Sequence, residues 1–137
     1  VHIWRRSYDI APPPLDENDE RHPKFDPRYR HAAKRPATES LKDTLNRVLP
    51  YWDKSIAPRL RAGENVLIAA HGNSMRALVK MLDGISSEEI TEFNIPSGIA
   101  MVYELDDSLH GFSREFIGDP EAIRKATQAV ANQAMRK

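Results

Sequence analysis

The sequence contains no cysteine, which removes disulfide frameworks, cysteine-based zinc sites and thiol catalysis, and points to an intracellular setting. It has no excess of either charge: 20 Lys and Arg balance 20 Asp and Glu over 137 residues. Nonspecific binding to nucleic acid or to a membrane surface needs bulk charge, so any anion site here must be local. Long apolar runs are missing too. The longest, Val66 to Ala70, is far too short to span a bilayer, and the first residues carry no signal-peptide pattern. No Gly-rich phosphate loop of the P-loop or dinucleotide type occurs, and no Gly-x-Ser-x-Gly elbow, so nucleotide hydrolysis and ordinary serine hydrolysis have no support. His2, His22, His31 and His110 lie in polar or loop-like contexts without metal-ligand spacing, which argues against a metal site and reads them as surface groups.

What is present suits one compact unit, since a chain of this length buries about two-thirds of its extended surface on folding. Pro12, Pro13, Pro14, Pro23, Pro27 and Pro36 make residues 1–37 a proline-rich loop that wraps a core built elsewhere. Residues 38–118 carry that core. Leu41, Leu45, Val48, Leu49, Trp52, Ile56 and Leu60 recur at helical spacing, with Thr38 and Ser40 as candidate caps, Gly63 as a stop and Pro50 as the point where the helix kinks or divides. The apolar run Asn65 to Ala70 reads as a strand covered on both faces and as the centre of a sheet. Met75, Leu78, Val79 and Leu82 return to helical spacing up to Asp83-Gly84, and Ser86 to Glu89 open a further short helix. Strands are expected at Ile99 to Leu105 and Phe112 to Ile117. Residues 119–137 form a final helix that buries little beyond Ile123, Ala126 and Val130 and ends in a mobile tail. This order is α/β, without internal repeats.

In an open parallel sheet, ligands collect beyond the carboxyl ends of the strands, where helix N-termini aim free N–H groups. Ala70-His71-Gly72-Asn73-Ser74 occupies that point. The imidazole can donate to an anion, Gly72 lets backbone approach closely, and Asn73 or Ser74 can cap the helix or hold a ligand. A histidine satisfied by a backbone carbonyl, with Gly72 in a tight turn, accounts for the same residues. Arg5 and Arg6 are the second candidate, because the guanidinium fork matches phosphate or carboxylate oxygens. An arginine pair also suits a solvated face. Trp4 beside them reads as a packing anchor, and Ser97-Gly98 as a turn that could line a pocket.

Trp4-Arg5-Arg6-Ser7-Tyr8-Asp9, Pro12-Pro13-Pro14, Asp26-Pro27-Arg28-Tyr29 and Thr38-Glu39-Ser40-Leu41 are followed by Ala69-Ala70-His71-Gly72-Asn73-Ser74-Met75-Arg76-Ala77-Leu78, Asn94-Ile95-Pro96-Ser97-Gly98 and Val102-Tyr103-Glu104-Leu105. Together they resemble the cofactor-dependent phosphoglycerate mutases of the histidine phosphatase superfamily, collinearly from Trp4 to about Gln133. The resemblance implies a three-layer α/β sandwich with a mostly parallel sheet. It implies interconversion of 2-phosphoglycerate and 3-phosphoglycerate through a phosphohistidine, primed by 2,3-bisphosphoglycerate, without a metal, in a cytoplasmic homo-oligomer, dimer or tetramer. His71 matches the histidine that stabilises the transferring phosphoryl group. Arg5, Arg6, Gly72 and Asn73 match substrate-binding positions, and the end from Gly118 resembles a tail that closes over the pocket.

One departure is large. The Arg-His-Gly segment that carries the family's phosphorylated histidine occurs nowhere in the chain, nor does the segment with its acid/base glutamate. Set against the family, a little under half of a complete mutase is absent ahead of Val1. The 137 residues alone are therefore expected to lack turnover and to expose an unpaired sheet edge. A bisphosphoglycerate mutase or related histidine phosphatase, and a noncatalytic anion-binding fragment, are the alternative readings.

Overall fold

A computed structural model describes residues 2–33 and 35–133, without the side chains of His2, Arg5 and Gln133. The expected mobile tail at 134–137 lies outside the described residues. Helix α1 (His2–Arg5) is a single turn, and the chain that follows is irregular except for 3₁₀ turns at Pro23–Phe25 and Pro27–Tyr29. Each of these turns starts on a proline, where no N–H is needed. His22 and Asp26 cap them, the His22 Nδ1 accepting from the Lys24 N–H at 3.1 Å and the Asp26 Oδ1 from the Arg28 N–H at 2.9 Å. His22 is only 8% exposed, so it is a buried cap and not the surface group its polar neighbours suggest. The proline-rich segment is stitched to the start of the next helix. Thr38 donates its hydroxyl to the Pro12 carbonyl at 2.5 Å, and the Lys42 N–H, one of that helix's free donors, reaches the Tyr8 carbonyl at 2.9 Å.

Helix α2 (Leu41–Tyr51) begins with a reciprocal cap. Ser40 Oγ accepts from the Asp43 N–H at 3.1 Å, and Asp43 Oδ2 accepts from the Ser40 N–H at 2.9 Å. The helix runs through Pro50, which lies on its exposed face. The expected break falls later, at a π-turn over Trp52–Ile56, in which the Ala57 N–H bonds the Trp52 carbonyl. Pro58 explains this displacement: its ring would press on the carbonyl four residues back, and one wider turn relieves it. Helix α3 (Ala57–Arg61) then ends before Gly63, at φ +80°.

Residues 65–70 do not form the expected central strand; they pair with no other strand among the described residues. Val66 and Ile68 pack against the core formed by Trp52, Ile56, Ala57, Leu78 and Leu82, whereas Leu67 between them is 94% exposed. The segment keeps the alternation of a strand and covers one face. A ladder needs a neighbour, and local composition cannot supply one.

Helix α4 (Gly72–Asp83) stops at Gly84, whose φ of +63° suits the left-handed cap. Helix α5 (Glu89–Glu92) follows a second reciprocal cap, between Ser86 and Glu89. Strands β1 (Ala100–Leu105) and β2 (Gly111–Ile117) pair antiparallel with Tyr103 opposite Arg114, and the register slips between Glu104 and Leu105. Helix α6 (Pro120–Gln133) closes the chain, with Ile123, Ala126 and Val130 half-buried as its sparse apolar stripe predicts. The architecture is mixed helix and strand. The sheet described is this two-stranded antiparallel hairpin, so a mostly parallel sheet in three layers is not formed among the described residues.

Helix α4 is the centre of the core. Its Leu78 and Leu82 pack with Trp52, Ile56 and Ala57, while its Ala77 and Val79 pack with Leu41 and Ile90. Ala77 and Ile90 are fully buried and Val79 is 1% exposed, which fixes how α5 sits beside the middle of α4.

Candidate functional site

The run through residues 65–70 delivers the chain to His71, which is itself the N-cap of α4; Asn73 and Ser74, the caps expected from sequence, lie inside the helix. The His71 backbone is extended, and its Nδ1 accepts the Asn73 N–H at 3.2 Å. This satisfies one of the helix's free donors and leaves Nε2 as the ring's donor. The ring is thus oriented by a backbone N–H and not by a backbone carbonyl, and it remains exposed.

A cavity of about 490 Å³ opens at this helix end, within the range of small-ligand sites. Arg6 and, distant from it in sequence, the consecutive His71, Gly72 and Asn73 all line it. Ser97 lines it as well, and so does Val130 from α6, which brings the last helix to the rim. Trp4 also forms part of the wall and stays 38% exposed. The Arg5 side chain lies outside the described residues.

Arg6 is not splayed into water, its side chain being 16% exposed. Its Nη1 donates to the Thr91 carbonyl at 2.9 Å and to Glu92 Oε2 at 3.0 Å. Arg76, which is not among the candidates the sequence suggests, lines the same cavity and donates from Nη2 to the Ile90 carbonyl. Its Nε is buried without a hydrogen-bond partner among the described residues. Burial chiefly, then the neighbouring positive Arg6, lowers the Arg76 pKa from its ordinary value, with Glu92 acting in the opposite direction. One signal could have found it: Arg76 lies three residues after Asn73 on one helix face. Glu39 is the acidic group on the lining, and Arg47 takes up its charge through two hydrogen bonds, at 2.6 and 3.0 Å.

Two guanidiniums, an imidazole donor and the N-terminus of a twelve-residue helix around one cavity make it suited to an anion rich in oxygen acceptors. The sequence matches the family model of the histidine phosphatase superfamily (branch 1) over residues 12–115. It is also 52% identical, over its whole length, to a 2,3-bisphosphoglycerate-dependent phosphoglycerate mutase of Borreliella burgdorferi (strain ZS7). The chain spans 56% of the length of that relative.

Proposed function

The chain belongs to the histidine phosphatase superfamily (branch 1), and from that premise we propose that it is the C-terminal portion of a phosphoglycerate mutase that interconverts 2-phosphoglycerate and 3-phosphoglycerate. The observation that carries the reading is the approach of Arg6 and His71, distant from each other in the sequence, to one cavity. Phosphoryl transfer asks a protein mainly to position groups and to neutralise oxygens, and the residues here do both.

In this reading the His71 Nε2 donates to the transferring phosphoryl group, with the ring held by the Asn73 N–H. The free N–H groups at the start of α4 face the same oxygens, and Gly72 lets backbone approach them. Arg6 binds the substrate's other anionic group, and Arg76 adds positive charge behind it. Arg6, His71 and Asn73 would also hold 2,3-bisphosphoglycerate, whose two phosphates suit the cationic lining; when bound it supplies the phosphoryl group that primes the enzyme. The histidine that accepts this group is not among these 137 residues in this reading. No metal takes part, and the protein works in the cytoplasm as a homo-oligomer.

Calorimetric titration of this chain with 3-phosphoglycerate tests the reading, with an assay of 2-phosphoglycerate formation alongside. Binding that is lost in Arg6→Ala, without turnover by the pure chain, is the expected result. Absence of binding, or binding indifferent to Arg6, rejects the assignment, and turnover by the pure chain rejects the claim that the nucleophile lies outside it.

A further inference from the structure

Arg6, the cation that faces the cavity from the leading segment, already holds a carboxylate. Its Nη1 bonds Glu92 Oε2 at 3.0 Å, and Glu92 is the last residue of α5, with its side chain 74% exposed. The same Nη1 bonds the Thr91 carbonyl at 2.9 Å, and Arg76 bonds the Ile90 carbonyl. Three successive residues of α5 therefore engage the two guanidiniums of the cavity, two through backbone and one through a charge. The backbone contacts are anchored by the fully buried Ile90 side chain, whereas the Glu92 side chain is largely exposed to solvent. Glu92 holds Arg6 from outside the lining, whereas Glu39, the acid on the lining itself, is held by Arg47.

We propose that Glu92 is a built-in competitor for Arg6: a phosphate-bearing ligand gains the full charge of the guanidinium only by displacing this carboxylate, so Glu92 sets how tightly the cavity holds anions. This inference rests on the reading of the cavity as a phosphate site and adds to it the residue that tunes its affinity. The physical basis is competition between acceptors of like charge. A carboxylate and a phosphate oxygen take the same charge-assisted hydrogen bond, and two anions at one guanidinium repel each other. The exposure of Glu92 keeps the pair weak enough to exchange, while the carbonyls of Thr91 and Ile90 keep both arginines in place when it leaves.

The probe is inorganic phosphate, titrated at low ionic strength into this chain and into Glu92→Gln, Arg6→Gln and the double variant, each checked for fold by circular dichroism. Glu92→Gln is expected to bind phosphate about 3- to 10-fold more tightly than the parent, the scale of removing a partly exposed competing charge. In the Arg6→Gln background the same change should gain much less, because the competed group is gone, and raised salt should shrink the gain. Glu92→Asp, which withdraws the carboxylate by one methylene, should fall between parent and Glu92→Gln; it carries the test alone if Glu92→Gln does not fold.

Equal phosphate affinity in the parent and Glu92→Gln overturns this inference while leaving the phosphate site standing. A gain of the same size with and without Arg6 also overturns it, since that is long-range charge removal and not competition. Absence of phosphate binding in every variant removes both this inference and the functional reading beneath it.

Discussion

Arg6 and Arg76 hold consecutive carbonyls of one short helix, those of Thr91 and Ile90. Two like charges are kept side by side because each is bonded to the same C-terminal turn of α5, where carbonyl dipoles favour cations. The cation pair at the cavity is thus a product of how α5 packs on α4, through Ile90, Ala77 and Val79.

Arg76→Ala should destabilise the chain by about 1–3 kcal/mol, because the Ile90 carbonyl loses its charged donor and the stem of the side chain leaves a gap. Arg76→Lys should recover part of the loss. Urea unfolding checks this, and an unchanged midpoint in Arg76→Ala would mean that α5 is held by its apolar contacts alone.

His71 has two separable roles, as helix cap and as donor into the cavity. His71→Ala should cost about 1 kcal/mol of stability through the lost cap, whereas His71→Asn retains a capping oxygen and should stay near the parent. In a complete enzyme both should slow phosphoryl transfer by roughly 100-fold or more, the scale of losing one preorganised donor. Arg6→Ala should act mainly on KM, with a smaller effect on kcat. Recovery of the rate in His71→Asn would reduce His71 to a cap.

Ser40 hydrogen bonds, first from its side chain and then from its backbone, hold the Asp43 carboxyl below its ordinary value of 3.8. A carboxyl lowered in the folded state contributes stability that is fully present above its unfolded value and is lost as pH falls through the folded value. Ser40→Ala should lower stability near neutral pH by about 0.5–2 kcal/mol and flatten its decline below pH 3.8. Urea midpoints measured from pH 6 downwards, at intervals of about half a unit, would show this; parallel acid limbs in parent and variant would remove Asp43 from the account.

Leu67 distinguishes an exposed run from a strand covered on both faces. At 94% exposure, Leu67→Lys should leave the stability of this chain within about 0.5 kcal/mol and improve its solubility, while Ile68→Ala should cost distinctly more. Paired thermal melts decide the matter. A severe loss in Leu67→Lys would mean that both faces of the run are covered in solution.

The features legible in the sequence are those set by a few neighbouring residues. The caps at Ser40 and Ser86, the stop at Gly84 and the two strands of the hairpin follow from side chains within one turn of where they act. His71-Gly72-Asn73 stands out for the same reason, since cap, close approach and donor lie on three adjacent residues. Arg6 could be nominated by its chemistry, but nothing local says that α5 would hold it at the cavity.

Tertiary structure alone decided the rest, because it turns on partners remote in the chain. Whether Asn65 to Ala70 joins a sheet depends on a neighbouring strand, and His22 is buried or exposed according to what folds over it. The widened turn appears at Trp52–Ile56, ahead of Pro58, because a steric clash is relieved wherever the surrounding core tolerates it. Arg76 joins the site, and Glu92 comes to hold Arg6, only when α5 packs on α4. Charge acts across distances that sequence separation does not measure, so their meeting was settled by the fold.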